Sequence, residues 1–360
     1  GGQGDDLLDG GADWDGVEYG GFYGSNNGVN IKLSGTDGLD LNGWIVDNGF
    51  AIDPDGGLDT LVGIEHLGGS NYDDFILVGD SVDGYYLDGG YGNDVLESWS
   101  WEYSYTFSPG SGSDEVYGSG ANYDQVVYDS WNFDNPNGAT INLSESFFFG
   151  NTAPGQAEDP DGYIDNLFGI ENASGTDYDD TLIGSDGDNW LGGNGGNDTI
   201  YAGRGNDYLV GGQGDDQFLV VDGDKTIEDF DPASGDVIDF SWGQSQVPDW
   251  AAVQAAMSEE VVNEEVEPGV FQDVTYTHIN LIGLSLHLRG IANNELQEGH
   301  FTGFTGALDG DQVINGTADD DNYDFGTQLE GGTGNDTIYG EEGNDNLIGG
   351  YGNDQLLSLI

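Results

Sequence analysis

Residues 175–219 read GTDYDDTLI, GSDGDNWLG, GNGGNDTIY, AGRGNDYLV and GGQGDDQFL, which are five consecutive nonapeptides. The sixth positions carry an acidic or amide residue: Asp180, Asn189, Asp198, Asp207 and Asp216. The eighth positions carry one large apolar residue: Leu182, Leu191, Ile200, Leu209 and Phe218. A period of nine that fixes both positions indicates a stacked repeat rather than an ordinary globular domain.

Each nonapeptide combines a glycine-rich turn with a short strand. Glycine tolerates positive φ, so the first six residues can form a tight turn whose carbonyl oxygens point inward. The last three residues extend as a strand, and its apolar side chain faces a shared core. Two nonapeptides then make one coil, which predicts that Asp180, Asp198 and Asp216 stack along one edge and that Asn189 and Asp207 stack along the other. The sequence thus predicts an all-β fold.

The same motif returns elsewhere in the chain. A second run near the C-terminus has Asp at position six, namely Asp336, Asp345 and Asp354. Shorter or imperfect copies occur across the first third and contribute Asp6, Asp15, Asp74, Asp94, Asp114 and Asp124. Eight in-phase copies in two blocks are a far stronger signal than a single glycine-rich turn.

The charge balance suggests what these acids do. The 360 residues include 69 acidic and only 4 basic side chains, for a net charge of -65. Carboxylates and turn carbonyls form an oxygen-only ligand set in flexible loops, which suits Ca²⁺ better than the stricter Mg²⁺. The alternative is that the Asp residues only cap turns. We expect Ca²⁺ ions on the order of ten, about one for each well-formed repeat.

The nonapeptide pattern resembles the RTX, or hemolysin-type calcium-binding, repeat family. Residues 123–241 also resemble the β-roll region of serralysin-type secreted proteins, through ATINL (139–143), GIENASGTDYDDTLIG (169–184) and TIEDFDPASGDVIDFS (226–241). The resemblance implies a parallel β-roll (an RTX solenoid) with Ca²⁺ between stacked turns, secretion by a type I system and folding outside the cell. Asn189 replaces an Asp, and Tyr72 and Tyr178 stand where Gly is usual, so we expect weaker binding in those turns.

The chain divides into four predicted segments. Residues 1–122 and 123–240 form two β-rich RTX units related by internal duplication, because WDGVEYG and GVNIKL in the first align with YDQVVYD and GATINL in the second. Residues 241–305 form a small α+β capping insert, with a helix over 249–262 and strands over 270–281 and 284–289. We expect this insert to cover the open end of the roll. Residues 306–360 begin a further, truncated β-roll.

One aromatic segment has two interpretations. Trp99, Trp101, Tyr103 and Tyr105 alternate with polar residues, which predicts one strand with an aromatic face. This face could contact glycans or a protein partner, or it could pack over the roll.

Composition and motifs also restrict the function. The few Lys and Arg residues exclude nucleic acid as a partner, and no apolar run is long enough for a transmembrane segment. There is no Cys, no HExxH, no GxSxG elbow and no phosphate-binding loop. We therefore predict no catalytic residues, no cofactor other than Ca²⁺ and no enzymatic activity in this chain.

The resulting hypothesis is an extracellular or cell-surface calcium-binding protein with a structural role, in a surface layer, an adhesin or an extracellular matrix. Its expected partners are calcium ions, and other copies of itself or cell-surface glycans are further candidates. One alternative is the non-catalytic C-terminal secretion and folding module of a type I-secreted hydrolase, such as a protease, a lipase or an alginate-modifying enzyme. A second alternative is a carbohydrate-binding adhesin module.

Overall fold

The structure is a computed structural model, and its described residues are 3–11, 13–20, 27–33, 49–79, 85–99, 103–119, 123–128, 133, 135–145, 152–241, 247, 250–267, 270–281, 283–302, 313–315, 329–330, 337–342, 347–348 and 355–359. The chain divides into two compact units. The first comprises Gly1–Phe218 and Gly223–Asp236, and the second comprises Leu219–Asp222 and Val237–Ile360. No helix in these described ranges is long and apolar enough to cross a membrane.

The first unit consists of short strands that form two sheets. Its strands are β1 (Leu7–Asp9), β2 (Gly16–Glu18), β3 (Asn30–Leu33), β4 (Gly49–Ile52), β5 (Leu58–Val62), β6 (His66–Gly68), β7 (Phe75–Val78), β8 (Tyr86–Asp88), β9 (Val95–Ser98), β10 (Thr106–Ser108), β11 (Glu115–Tyr117), β12 (Gln125–Val127), β13 (Thr140–Asn142), β14 (Gln156–Glu158), β15 (Ile164–Phe168), β16 (Asn172–Ser174), β17 (Thr181–Ile183), β18 (Trp190–Gly195), β19 (Thr199–Tyr201), β20 (Asn206–Gln213), β21 (Gln217–Leu219) and β22 (Gly223–Ile227). The first sheet has the order β1-β5-β4-β3-β7-β9-β11-β15-β14-β13-β17-β19-β21. The second has the order β2-β6-β8-β10-β12-β16-β18-β20-β22.

Successive coils are in register, as the nonapeptide spacing predicts. Thr181 pairs with Thr199 in the first sheet, and Trp190 pairs with Tyr208 in the second, both in parallel. The position-eight side chains are buried between the sheets, with no exposed surface at Leu182, Leu191, Ile200, Leu209 and Phe218. Because one coil alone cannot bury its apolar residues, stacking supplies the core. The fold is therefore a parallel β-roll.

Two antiparallel insertions interrupt the roll at equivalent places. In the first sheet, β4 pairs antiparallel with both β3 and β5, and β14 pairs antiparallel with both β13 and β15. The orders β1-β5-β4-β3-β7 and β11-β15-β14-β13-β17 are therefore the same arrangement repeated. This repetition agrees with the internal duplication seen in the sequence.

The second unit contains one helix and several further strands. They are α1 (Trp250–Ala256), β23 (Val237–Asp239), β24 (Met257–Glu267), β25 (Val270–Asn280), β26 (Leu284–Arg289), β27 (Phe301–Thr302), β28 (Val313–Asn315), β29 (Leu329–Glu330), β30 (Thr337–Glu342), β31 (Leu347–Ile348) and β32 (Gln355–Leu359), with short 3₁₀ turns at Asn293–Glu295 and Glu298–His300. Strands β24, β25 and β26 form an antiparallel ladder. Strands β28, β30 and β32 pair in parallel, with Ile338 opposite Leu356.

The helix prediction over 249–262 is wrong in its C-terminal half. The helix ends at Ala256, and from Met257 the chain pairs with β25 as a long strand. The β-branched Val261 and Val262 fit that strand, and the cross-strand pairs outweigh the helix propensity of the neighbouring Glu residues. The strand predictions over 270–281 and 284–289 are confirmed. That this segment covers the end of the roll stays a prediction.

Candidate metal centre

The position-six residues lie at the turn-to-strand junctions of the roll. We name as the first edge the junctions that lead into the first sheet, and as the second edge those that lead into the second sheet. The described position-six Asp side chains are largely buried at Asp74, Asp94, Asp114, Asp124, Asp180, Asp198, Asp207 and Asp216, and half-buried at Asp6 and Asp15. Asp336, Asp345 and Asp354 lie outside the described residues.

A ladder of hydrogen bonds links the carboxylates of the first edge. The Asp180 amide donates to Asp198 Oδ1 at 2.8 Å, and the Asp198 amide donates to Asp216 Oδ1 at 2.9 Å. The partners are 18 residues apart, which confirms the predicted stacking along this edge. The carboxylates of Asp198 and Asp216 are therefore each aligned through one oxygen by the backbone of the preceding coil, and the second oxygen of Asp180 accepts from the Thr176 amide.

The ladder also runs through the earlier turns, where the coil is longer. The amide of Asp74 donates to Asp94 Oδ1 at 2.7 Å, and the amide of Asp94 donates to Asp114 Oδ1 at 2.6 Å. These partners are 20 residues apart. The imperfect copies of the motif thus place their Asp side chains in the same way as the regular nonapeptides do.

Three Asp residues on this ladder have a second carboxylate oxygen that is buried without a hydrogen-bond partner. They are Asp94, Asp114 and Asp198. Burial and, to a lesser extent, neighbouring Asp carboxylates raise the pKa of Asp94 to about 9 and those of Asp114 and Asp198 to about 8. A buried, unpaired carboxylate is strongly unfavourable, so these positions require either a proton or a cation.

Glycine lets the orphaned carboxylate oxygens and the carbonyl oxygens of the next coil approach the same point of the turn. A Cβ built on Gly193 would lie 2.0 Å from Asp198 Oδ2 and 2.5 Å from the carbonyl oxygen of Gly211 in the next coil. A Cβ on Gly89 would likewise lie 2.5 Å from Asp94 Oδ2 and 2.3 Å from the carbonyl oxygen of Pro109. A carboxylate oxygen and a carbonyl oxygen of the next coil thus face one point, and this donor set fits Ca²⁺.

Side chains alone do not complete a metal site. Among the described residues, no group of three or more His, Cys, Asp or Glu side chains is placed to hold a metal ion. A cation held in these turns would therefore take part of its ligands from backbone carbonyls.

The second edge carries different residues. The Asn189 amide donates to Asp207 Oδ1 at 2.9 Å over the same 18-residue separation, as predicted. The second oxygen of Asp207, however, contacts Lys225 Nζ at 2.7 Å, and both side chains are fully buried. Burial raises the pKa of Asp207 to about 6, and the nearby Lys225 ammonium opposes this increase. The prediction of Asp207 as a metal ligand did not take this ion pair into account.

Sequence reasoning missed several other members of the ladders. The amide of Asp114 donates to Asp165 Oδ1, and the amide of Asp6 donates to Asp59 Oδ1. Two buried hydroxyl groups hold the other oxygens: Tyr128 donates to Asp165 Oδ2, and Tyr19 donates to Asp59 Oδ2. The signal was the repeated sequence DPDG at 53–56 and 159–162, which precedes each of these Asp residues by the same distance.

The predicted aromatic face does not form as one strand. Strand β9 ends at Ser98 and β10 begins at Thr106, and Tyr103 and Tyr105 lie before β10. Tyr105 is 1 % exposed and donates to the carbonyl oxygen of Gly79, so it belongs to the core and cannot contact a glycan. Trp99 is 49 % exposed, and Trp101 lies outside the described residues.

Comparison with known proteins identifies the repeats. The family described as RTX calcium-binding nonapeptide repeat (4 copies) matches residues 167–199, 174–209, 184–218 and 323–356. No curated protein matches the chain. Among solved structures, the extracellular lipase LipA from Serratia marcescens is similar at 18 % identity, over 66 % of this chain and 39 % of the lipase chain, with a TM-score of 0.22. The matched part thus spans well under half of the lipase, and so low a TM-score carries no weight.

The matched ranges include the turns of Asp180, Asp198 and Asp216 and the glycine cradle at Gly193, whereas Asp94, Asp114 and Gly89 lie outside them. Residues 167–218 and 323–356 thus match RTX calcium-binding nonapeptide repeats, and the first of these ranges lies in the parallel β-roll.

Proposed function

We propose that this chain is an extracellular or cell-surface structural segment that folds when its roll binds calcium outside the cell. One observation carries this proposal: the second carboxylate oxygens of Asp94, Asp114 and Asp198 are buried without a partner. Such oxygens are strongly unfavourable in a neutral interior, and a divalent cation removes the penalty. Folding and calcium binding are then one equilibrium.

The residues that would hold calcium are the position-six Asp side chains of the first edge. Their carboxylates are fixed by the ladder of backbone amides, and the glycine turns bring the carbonyl oxygens of the next coil towards them. The bound ion supplies positive charge at these points. The described members of this proposed ligand set are Asp6, Asp74, Asp94, Asp114, Asp180, Asp198 and Asp216.

The net charge predicts where the chain stays extended and where it folds. At -65, the chain repels itself and stays extended where free calcium is scarce. At the ~10⁻³ M calcium typical outside cells, extracellular modules bind their ions. We therefore propose type I secretion of an extended chain that folds after export. Its role is then that of a surface layer, an adhesin or a matrix component rather than of an enzyme.

The distribution of the full-length protein between cell fractions tests the location. We expect the protein in the medium or on the outer surface, where added protease digests it on intact cells after calcium is chelated. An intracellular enzyme serves as the control for lysis. A protein found only inside intact cells would contradict the proposal. A catalytic domain on the same polypeptide would instead favour the alternative of a folding module for a secreted hydrolase.

A second candidate function, glycan binding, is favoured by a cleft in the first unit. The cleft has a volume of about 520 Å³ and is lined by Tyr91, Tyr163, Asn93, Asn135 and Asp161, among others. Tyr91 and Tyr163 are 40 % and 50 % exposed, and exposed aromatic rings can stack on a sugar. The carboxylate of Asp161 accepts hydrogen bonds from Ser111 and Asn135, which fixes polar groups beside the rings.

A glycan array tests this second function. We expect hits that are lost in Tyr163→Ala and kept in Tyr208→Ala, a variant of another partly exposed tyrosine that does not line the cleft. An array without hits for the calcium-loaded chain would remove the glycan-binding function.

A further inference from the structure

The two edges of the roll differ in composition along the whole first unit. The first edge carries Val29 and Ala139 at two described ladder positions and Asp at the others: Asp6, Asp59, Asp74, Asp94, Asp114, Asp165, Asp180, Asp198, Asp216 and Asp236. The second edge carries mixed residues: Asp15, Glu65, Tyr85, Tyr105, Asp124, Glu171, Asn189, Asp207 and Lys225. The orphaned oxygens of Asp94, Asp114 and Asp198 lie on the first edge, whereas the corresponding oxygen of Asp207 on the second edge contacts the Lys225 ammonium.

Lys225 occupies a ladder position on the second edge. It lies opposite Asp207 in the parallel pairing of β20 and β22. It follows Asp207 at the same 18-residue spacing at which Asp207 follows Asn189. In a regular repeat the next residue of this series would be another Asp. The chain thus places a cationic side chain where the motif calls for an anionic one.

The ammonium group of Lys225 has the contacts of a bound cation. Its Nζ lies 2.7 Å from Asp207 Oδ2 and 2.8 Å from the carbonyl oxygen of Gly205, to which it donates. This pair of oxygens, a position-six carboxylate and a turn carbonyl, is the same pair of oxygen types that faces the glycine cradle beside Asp198. The side chains of Lys225 and Asp207 are both 0 % exposed.

Other groups on the second edge are also satisfied by the chain itself. Asn189 Nδ2 donates to the carbonyl oxygen of Glu171 at 2.6 Å, and Asn189 Oδ1 accepts from the Ser185 amide at 2.7 Å. Asp124 Oδ2 accepts from the Ser119 amide at 2.7 Å, and Asp124 Oδ1 accepts from the Tyr105 amide at 2.9 Å. These positions do not require an ion to complete their contacts. On the first edge the same holds for Asp74 and Asp180, whose second oxygens accept from the amides of Ser70 and Thr176, so the orphaned oxygens of Asp94, Asp114 and Asp198 carry the difference between the edges.

We propose that the first unit loads calcium along its first edge, and that the Lys225 ammonium takes the place of a calcium ion beside Asp207 on the second. The inference rests on the proposed calcium-dependent folding and specifies which turns take part in it. A buried ion pair gives little net stability over an apolar pair. Its presence here is explained if the turn needs a cation and the chain supplies one. The first edge then needs calcium to complete its contacts, and the turn beside Asp207 needs no ion of its own.

Counting bound calcium in the full chain tests the inference. The bound ions are measured by equilibrium dialysis at saturating calcium, and the ions taken up on folding are measured from the slope of the folding constant against free calcium. We expect Asp198→Asn to bind at least one ion fewer than the wild type. We expect Asp207→Asn to keep the wild-type number, and Lys225→Asp, which restores the Asp series, to bind one ion more.

The outcomes separate this inference from the proposed function. If the wild type binds calcium but Asp207→Asn loses as many ions as Asp198→Asn, the inference is wrong and calcium-dependent folding stands. A folded Lys225→Asp chain with the wild-type number of ions would also overturn it. If the wild type binds no calcium, both are wrong. The slope of the folding constant against free calcium can be measured on a variant that folds only partly at high calcium. A destabilised variant therefore still gives a number of bound ions.

Discussion

At the scale of single residues, a turn of the roll needs glycine at one position as much as it needs aspartate at another. Gly193 has no side chain, and its Cβ position lies 2.0 Å from Asp198 Oδ2. The motif therefore fixes glycine at this point for the ligand rather than for the backbone alone. Asp198 supplies the carboxylate, and the coil after it supplies the carbonyl.

The short distance between the Gly193 Cβ position and Asp198 Oδ2 predicts that Gly193→Ala weakens calcium binding. The added methyl group must displace either the Asp198 carboxylate or the Gly211 carbonyl, so the calcium concentration for half-maximal folding should rise severalfold. Gly187→Ala is the matched control, because its Cβ would lie 3.4 Å from the nearest atom, Ser185 Oγ. Calcium titrations followed by circular dichroism measure both. Equal behaviour of the two variants would contradict the cradle.

The apolar residue at position eight has a separate role. Phe218 has no exposed surface and lies with its ring centroid 6.2 Å from that of Phe230. Phe218→Ala leaves a cavity in the core and should lower the free energy of unfolding by about 3–5 kcal/mol in calcium. Denaturant unfolding at saturating calcium measures this change. A loss below about 1 kcal/mol would mean that the coils do not share a packed core at this position.

At the scale of elements, the nonapeptide spacing predicted the parallel coils because it fixes turn, strand and core position together. The antiparallel strands β4 and β14 were not predicted, since the segments around them lack the period of nine. The helix over 249–262 was half wrong because Ala, Gln and Met favour a helix locally, whereas the pairing of β24 with β25 is a tertiary effect. The ladder role of Lys225 was not predicted, because the nonapeptide motif specifies an acid at position six and Lys225 is a cation.

The strand that replaced the predicted helix can be tested by crosslinking. Val262 lies directly opposite Val274, so Val262→Cys combined with Val274→Cys should form a disulfide on mild oxidation. The chain has no cysteine of its own, so nonreducing electrophoresis gives a clean readout. Val262→Cys with Thr275→Cys is the control, because these two residues lie on opposite faces of the ladder. Efficient crosslinking of the control alone would contradict the register.

At the scale of the whole molecule, the acidic excess connects calcium, protons and folding. Burial raises the pKa of Asp94 to about 9 and those of Asp114 and Asp198 to about 8 in the calcium-free fold. In the unfolded chain an Asp titrates near ~3.9. A raised folded-state pKa means that these groups stabilise the fold when they are protonated. This stability is fully present below about pH 4 and is lost as the pH rises through about 8 to 9.

We therefore predict that mild acid partly replaces calcium. In excess chelator, the β-sheet signal in circular dichroism should increase as the pH falls from about 8 to about 5. In saturating calcium the same change should destabilise the roll, because protons compete with the ion for the carboxylates. Thermal unfolding at the two pH values, with and without calcium, gives all four results. A calcium-free chain that is more folded at the higher pH would contradict this linkage.

The most direct test of the central claim is the folded fraction as a function of free calcium. Far-ultraviolet circular dichroism and amide hydrogen exchange are measured on the full chain while calcium is varied from chelator to about 10⁻³ M. We predict an unfolded chain in chelator and a cooperative transition to protected β-sheet, with Mg²⁺ at equal concentration failing to produce it. A chain that keeps its β-sheet signal and its slow amide exchange in excess chelator would show that calcium does not drive the folding of this roll.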